Sequence, residues 1–134
     1  MSTEASNSLR KLAKRLALAC GAVMLLTDIY LGSPSNSEWW LMIPLVLAWQ
    51  AGPILLAAAC AALSRTQNGQ IVFLLLAGLF VLVTGWTYYA VLTSTSSTAP
   101  IALVFTPIYL YGAWLVTVVV AAIFGWHARD IGSA

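Results

Sequence analysis

Residues 71–92 read IVFLLLAGLFVLVTGWTYYAVL, with no charged side chain from end to end. Crossing the hydrocarbon core of a bilayer takes about 20 apolar residues of helix, and this run meets that length. Lipid offers no hydrogen bonds to an exposed backbone, so the run must pair its own N–H and C=O groups as an α-helix. A barrel strand would be about half as long and would alternate polar with apolar residues. Upstream, Ser64-Arg65-Thr66-Gln67-Asn68-Gly69-Gln70 separates it from an apolar run at 39–63 that opens on Trp39-Trp40. Downstream, Thr93-Ser94-Thr95-Ser96-Ser97-Thr98 separates it from one at 100–126, with Pro100 suited to a first helical turn. A run at 12–31 precedes them and ends on the turn formers Gly32-Ser33-Pro34-Ser35-Asn36-Ser37.

The expected fold is therefore an all-α membrane protein. Four transmembrane helices, at about 12–31, 39–63, 71–92 and 100–126, form an antiparallel bundle over 12–126, flanked by a basic tail at 1–11 and a short tail at 127–134. Whole-chain composition agrees. The 134 residues are 61% hydrophobic and only 7% charged, with a mean hydropathy of +0.91, against about 25% charged in an ordinary soluble domain. Four crossings nearly exhaust such a chain and leave no room for a separate soluble domain.

Every Lys and Arg lies in the N-terminal segment, at Arg65 or at Arg129, and the other two loops carry none. By the positive-inside rule both termini are expected in the cytoplasm, with Trp39 and Trp40 at the outer interface and Trp126 at the inner one. No organellar transit pattern is present, which favours the bacterial inner membrane. Arg10, Lys11, Lys14 and Arg15 imitate the start of a signal peptide, and Leu18-Ala19-Cys20-Gly21 imitates a lipoprotein cleavage box. Only four apolar residues separate Arg15 from Cys20, too few for the apolar core of a signal, so the segment is read as a retained anchor. Cys20 and Cys60 fall inside apolar runs as small hydrophobes, with neither a disulfide framework nor a metal site implied. A net charge of +2 leaves no nucleic-acid footprint.

Depth sorts the side chains unevenly. Ala13, Ala17 and Gly21 recur every four residues on the first span, and Ala113, Thr117, Ala121 and Gly125 do so on the fourth, all toward the cytoplasm. Small residues at that spacing let membrane helices approach closely, so this half is expected to be tight. The outer half collects Tyr30, Trp49, Trp86, Tyr88, Tyr89, Phe105, Tyr109 and Tyr111, with Pro44, Pro53 and Pro107. These rings read either as an interfacial belt with core filling or as an outward-opening cleft or docking face. Pro53 and Pro107 each remove a backbone donor, leaving the carbonyls of Trp49 and Leu103 to find other partners.

Asp28 is the one acid inside a span. It follows Gly21 by seven residues and so falls within roughly 20° of the small-residue stripe, facing other helices. Two readings stand: a solvated or hydroxyl-bonded carboxylate at a helix end, or a ligand, proton or partner site. Tyr88, Tyr89, Tyr109 and Tyr111 are its candidate donors. Gln50, midway along the second span, reads as an interhelical hydrogen bond or as the lining of a permeation path. Thr84 and Thr87 can bond carbonyls of their own helix, and His127 reads as interfacial.

Catalytic chemistry is missing. No histidine lies in the spans to hold a haem, no cluster of ligands converges on a metal, and no phosphate loop, serine elbow or paired aspartate appears. No cofactor and no enzymatic activity are expected. The segment Ser96-Ser97-Thr98-Ala99-Pro100-Ile101-Ala102-Leu103-Val104-Phe105-Thr106-Pro107-Ile108-Tyr109 resembles one found in small uncharacterised bacterial four-helix inner-membrane proteins, which implies a bacterial setting. The architecture is similar to that of membrane immunity proteins that protect a cell against pore-forming toxins. It also resembles small multidrug-resistance transporters in size and helix count, but the glutamate on which that family relies has no counterpart in 20–26.

The first functional expectation is thus a non-catalytic inner-membrane protein that binds a membrane partner, most concretely an immunity protein acting on a toxin. The alternatives are a small homo-oligomeric transporter or channel using Asp28 and Gln50, and an accessory subunit of a membrane complex. The candidate partner or ligand site comprises Asp28, Gln50, Trp86, Tyr88, Tyr89, Tyr109 and Tyr111; the helix-packing set comprises Ala17, Gly21, Ala113, Thr117, Ala121 and Gly125.

Overall fold

The computed structural model describes residues 3–32 and 35–125. Within them the chain is all-helical, with α1 at Thr3–Leu31, α2 at Ser37–Leu63, α3 at Gln67–Thr93 and α4 at Ile101–Ile123. Of these, α2, α3 and α4 are long and apolar enough to cross a membrane. The first helix differs from the other three in charge: it runs on through the basic segment to Thr3, nine residues before the expected start of the span, and also carries Asp28. The N-terminal residues Ser6 to Lys11, expected as a tail, are therefore helical. Trp126, His127, Arg129 and Asp130 lie outside the described residues.

Local chemistry accounts for the boundaries. The side chain of Asn36 accepts from the Glu38 amide at 3.0 Å to cap α2, and Glu38 places negative charge on the positive end of that helix. At the far end the Ser64 amide and hydroxyl both return to the Cys60 carbonyl, at 2.9 and 2.8 Å. Two residues later Thr66 caps α3 through the Gly69 amide. Pro100 sits at the cap of α4, one residue ahead of the first helical position, because three tight bonds spanning Thr98 to Leu103 wind the chain into the helix there. The fourth helix stops at Ile123 instead of reaching 126. Gly125 adopts a left-handed φ of 67° and its amide returns to Ala122, the standard way a glycine terminates a helix. Gly125 is thus the helix stop.

In the bundle α2 touches all three other helices, α3 does too, and α1 and α4 lie apart on either side of that central pair. The two ends of α3 meet corresponding ends of α1: Gln70 reaches Ser6, and Tyr88 reaches Asp28. The core has two tiers. At the basic end Phe73 is enclosed by Ala13, Ala61 and Ala121, one alanine from each other helix. Toward the Asp28 end, Phe80 packs with Met24, Ile54, Ala57, Ala77, Tyr88 and Leu110. The small residues are thus used unequally. Ala13 and Ala121 are fully enclosed and Ala17, Gly21 and Thr117 half-buried, while Ala113 is exposed. A four-residue repeat drifts about 40° around a helix with each step, so a stripe of this kind leaves the seam after two or three members.

Candidate functional site

On α3, Phe73, Ala77, Phe80, Thr84 and Tyr88 are buried in steps of three or four residues, so Tyr88 ends an inward-facing stripe. Asp28 ends the corresponding face of α1, four residues after the buried Met24. The two side chains meet: the Tyr88 hydroxyl donates to Asp28 Oδ1 at 2.9 Å, with Asp28 only 3% exposed. Gln50 from α2 joins them, its side-chain Oε1 against the same hydroxyl. A hydroxyl has one hydrogen to give, and it cannot serve both acceptors at once. A half-turn of the Gln50 amide converts the second contact into an N–H donor to the tyrosine oxygen, and the three side chains then form a single chain running Gln50 to Tyr88 to Asp28. Three of the expected site residues, from three helices, are in this way drawn into one buried knot.

The other aromatic candidates stand elsewhere. Tyr111 donates to the Ala48 carbonyl at 3.3 Å and lies 5.6 Å from Trp49, centroid to centroid, in a tilted stack. Trp49 in turn donates to the Val104 carbonyl at 3.1 Å. These donors land one residue away from the carbonyls expected to be freed by Pro53 and Pro107, on turns that the prolines bend. Trp86 and Tyr89 are exposed and stack on each other at 5.9 Å, and Tyr109 points outward at 76% exposure. Only Tyr88 of the four tyrosines bonds Asp28.

Gly52 explains how Tyr111 comes so close to α2. A Cβ at Gly52 would lie 1.9 Å from the Tyr111 hydroxyl oxygen, so Gly52→Val expels the ring from its stack with Trp49. The expected loss is about 1–2 kcal/mol, read by unfolding in mixed detergent micelles. Combining it with Tyr111→Ala should remove the clash, and a fully additive double variant would show that the contact is not the cause.

Beside the knot, a groove of about 450 Å³ opens between α1 and α3 with Ile54 of α2 at its floor. Cys20, Met24, Val81 and Leu92 make its apolar walls, and Thr84, Tyr88 and Tyr89 line its α3 side; no charged residue lines it. Two buried oxygens in this region have no hydrogen-bond partner, Asp28 Oδ2 and Thr84 Oγ1. Thr87 bonds its own helix at the Val83 carbonyl, as threonines in membrane helices do, whereas Thr84 does not. Thr84, read from the sequence as able to bond a carbonyl of its own helix, is thus left without a side-chain partner. Its position one turn before Tyr88 on the buried face was the signal that marked it.

Among the described residues no group of three or more His, Cys, Asp or Glu side chains could hold a metal ion. No protein family, curated protein or solved structure matches the chain.

Proposed function

We propose that this chain is a non-catalytic protein of the bacterial inner membrane that binds a membrane partner, and that its most concrete form is an immunity protein blocking a membrane-targeting or pore-forming toxin. In this reading all four helices span the bilayer as an antiparallel bundle, with the basic end and both termini in the cytoplasm and the Asp28 end outward. The observation that carries it is the α1–α3 groove. It is an open cleft between two helices, its lining is mostly apolar, and no charge lines it, which suits the side chains of another membrane helix and offers no counter-charge to an ionic cargo. The exposed Trp86–Tyr89 pair extends that surface, since Tyr89 lines the groove and Trp86 stacks on it.

Gly85 supplies the test. It lies in the groove wall, and a Cβ there meets nothing within 4 Å, so Gly85→Leu fills the groove without disturbing the bundle. In a strain carrying an adjacent toxin gene, deletion of this gene should make the strain sensitive to its own toxin. Wild-type protein restores protection, and Gly85→Leu at equal membrane level does not. Normal growth of the deletion strain against that toxin rejects the immunity reading, and full protection by Gly85→Leu rejects the groove as its seat. The second reading, a homo-oligomeric transporter or channel, is favoured by the convergence of Asp28 and Gln50 on one hydroxyl. Flux through proteoliposomes that Asp28→Asn abolishes would establish it instead.

A further inference from the structure

A second groove, of about 490 Å³, lies between α1 and α2 at the basic end. It exists because Ala17 on one helix and Ala58, Ala59 and Ala62 on the other are too short to fill the space between the two backbones. Its walls run from Leu55 to Leu63 on α2, a helical length of about 12 Å. Apart from one side chain it is apolar, and that exception, Lys14, is a cation. Arg10 stands one turn away on the same face of α1, and its Nε is buried without a hydrogen-bond partner. Arg65 is exposed two positions beyond Leu63, where the groove ends.

A narrow apolar trough with cations gathered at one mouth fits an amphiphile with a negatively charged head. We propose that this groove binds an anionic phospholipid of the surrounding membrane, with an acyl chain along the alanines and the phosphate oxygens accepting from Lys14. Basic pockets between membrane helices hold anionic head groups by this combination of charge and apolar contact. The alanines then have two roles: on the inner faces of the helices they admit the Phe73 ring, and on the flank between α1 and α2 they leave room for lipid.

Native mass spectrometry of the detergent-purified chain, incubated with equal amounts of phosphatidylglycerol and phosphatidylcholine, tests this. Wild-type protein should retain phosphatidylglycerol about fivefold over phosphatidylcholine, the preference expected of one well-placed cation. Lys14→Gln should remove most of that preference. Lys11→Gln, which deletes the same charge outside the groove, should leave it intact. Ala62→Leu keeps every cation but fills the trough, and should lower retention of the anionic lipid. Equal retention of the two lipids, equal effects of Lys14→Gln and Lys11→Gln, or unchanged retention in Ala62→Leu would each overturn the proposal. So would a lipid-free dimer, which would mean that a second copy covers the groove.

Discussion

Phe73→Ala should be the most damaging single truncation in the bundle, at about 2–3 kcal/mol. Phe73 is completely buried, and its neighbours at the basic end are Ala13, Ala61 and Ala121. The three alanines have nothing to swing into the space the ring leaves, and Cys60, Leu74, Leu76 and Val118, only partly buried against this tier, fill part of it at most, so a cavity persists. Losses on the order of 3–5 kcal/mol accompany such truncations in soluble cores. The expectation here is lower because helices separated in a membrane remain in an apolar medium, and the part of the penalty due to transfer from water drops out. Leu75→Ala is the control, since Leu75 is two residues away and 69% exposed; its effect should stay within about 0.5 kcal/mol. Unfolding of both variants in mixed micelles decides the matter. Equal losses would mean that the alanine tier does not close around Phe73.

Tyr88→Phe should follow, at about 2 kcal/mol, although it deletes a single oxygen. That oxygen is the shared partner of Asp28 and Gln50, and its removal strands two polar side chains in the interior. Hydrogen bonds between membrane helices average well below this, about 0.6 kcal/mol. The larger value is expected because Asp28 Oδ2 is already unpartnered, and stranding a buried polar group costs more than a bond contributes. Tyr89→Phe, one residue on and exposed, should be silent. Adding Asp28→Leu to Tyr88→Phe should recover part of the loss by removing the stranded carboxyl. A Tyr88→Phe variant as stable as Tyr89→Phe would mean that the knot does not hold the three helices together.

Much of this was legible along the chain. The charge-free run at 71–92 required a helix, and the polar segments around it placed the breaks within a few residues of those observed for α2 and α3. Helical phase also put Asp28 on the inner face of α1, where it is found. Among the boundaries that moved, two did so for clear local reasons. Gly125 adopts a left-handed conformation and ends α4 early, and the basic segment before 12 continues as helix because nothing in Ser6 to Lys11 breaks one. The choice among four tyrosines was also present as spacing, in the series Phe73, Ala77, Phe80, Thr84, Tyr88, but composition by depth alone treats all rings near one end alike.

Composition and helical phase establish what each helix needs: an apolar solvent along its length, small residues where another helix comes close, and a partner for each polar group carried into that solvent. Those requirements follow from backbone hydrogen bonding and desolvation, which act on a segment whatever lies beside it. Which partner each group obtains is set by how the helices pack against one another. Tyr88, already marked by its spacing, meets Asp28 of α1 in particular, Gln50 closes on the same oxygen, Thr84 is left without a side-chain bond, and the alanines enclose a ring on one side while leaving a trough on another. Such pairings depend on the rotation and offset of one helix against its neighbour, which no periodicity within a single helix encodes.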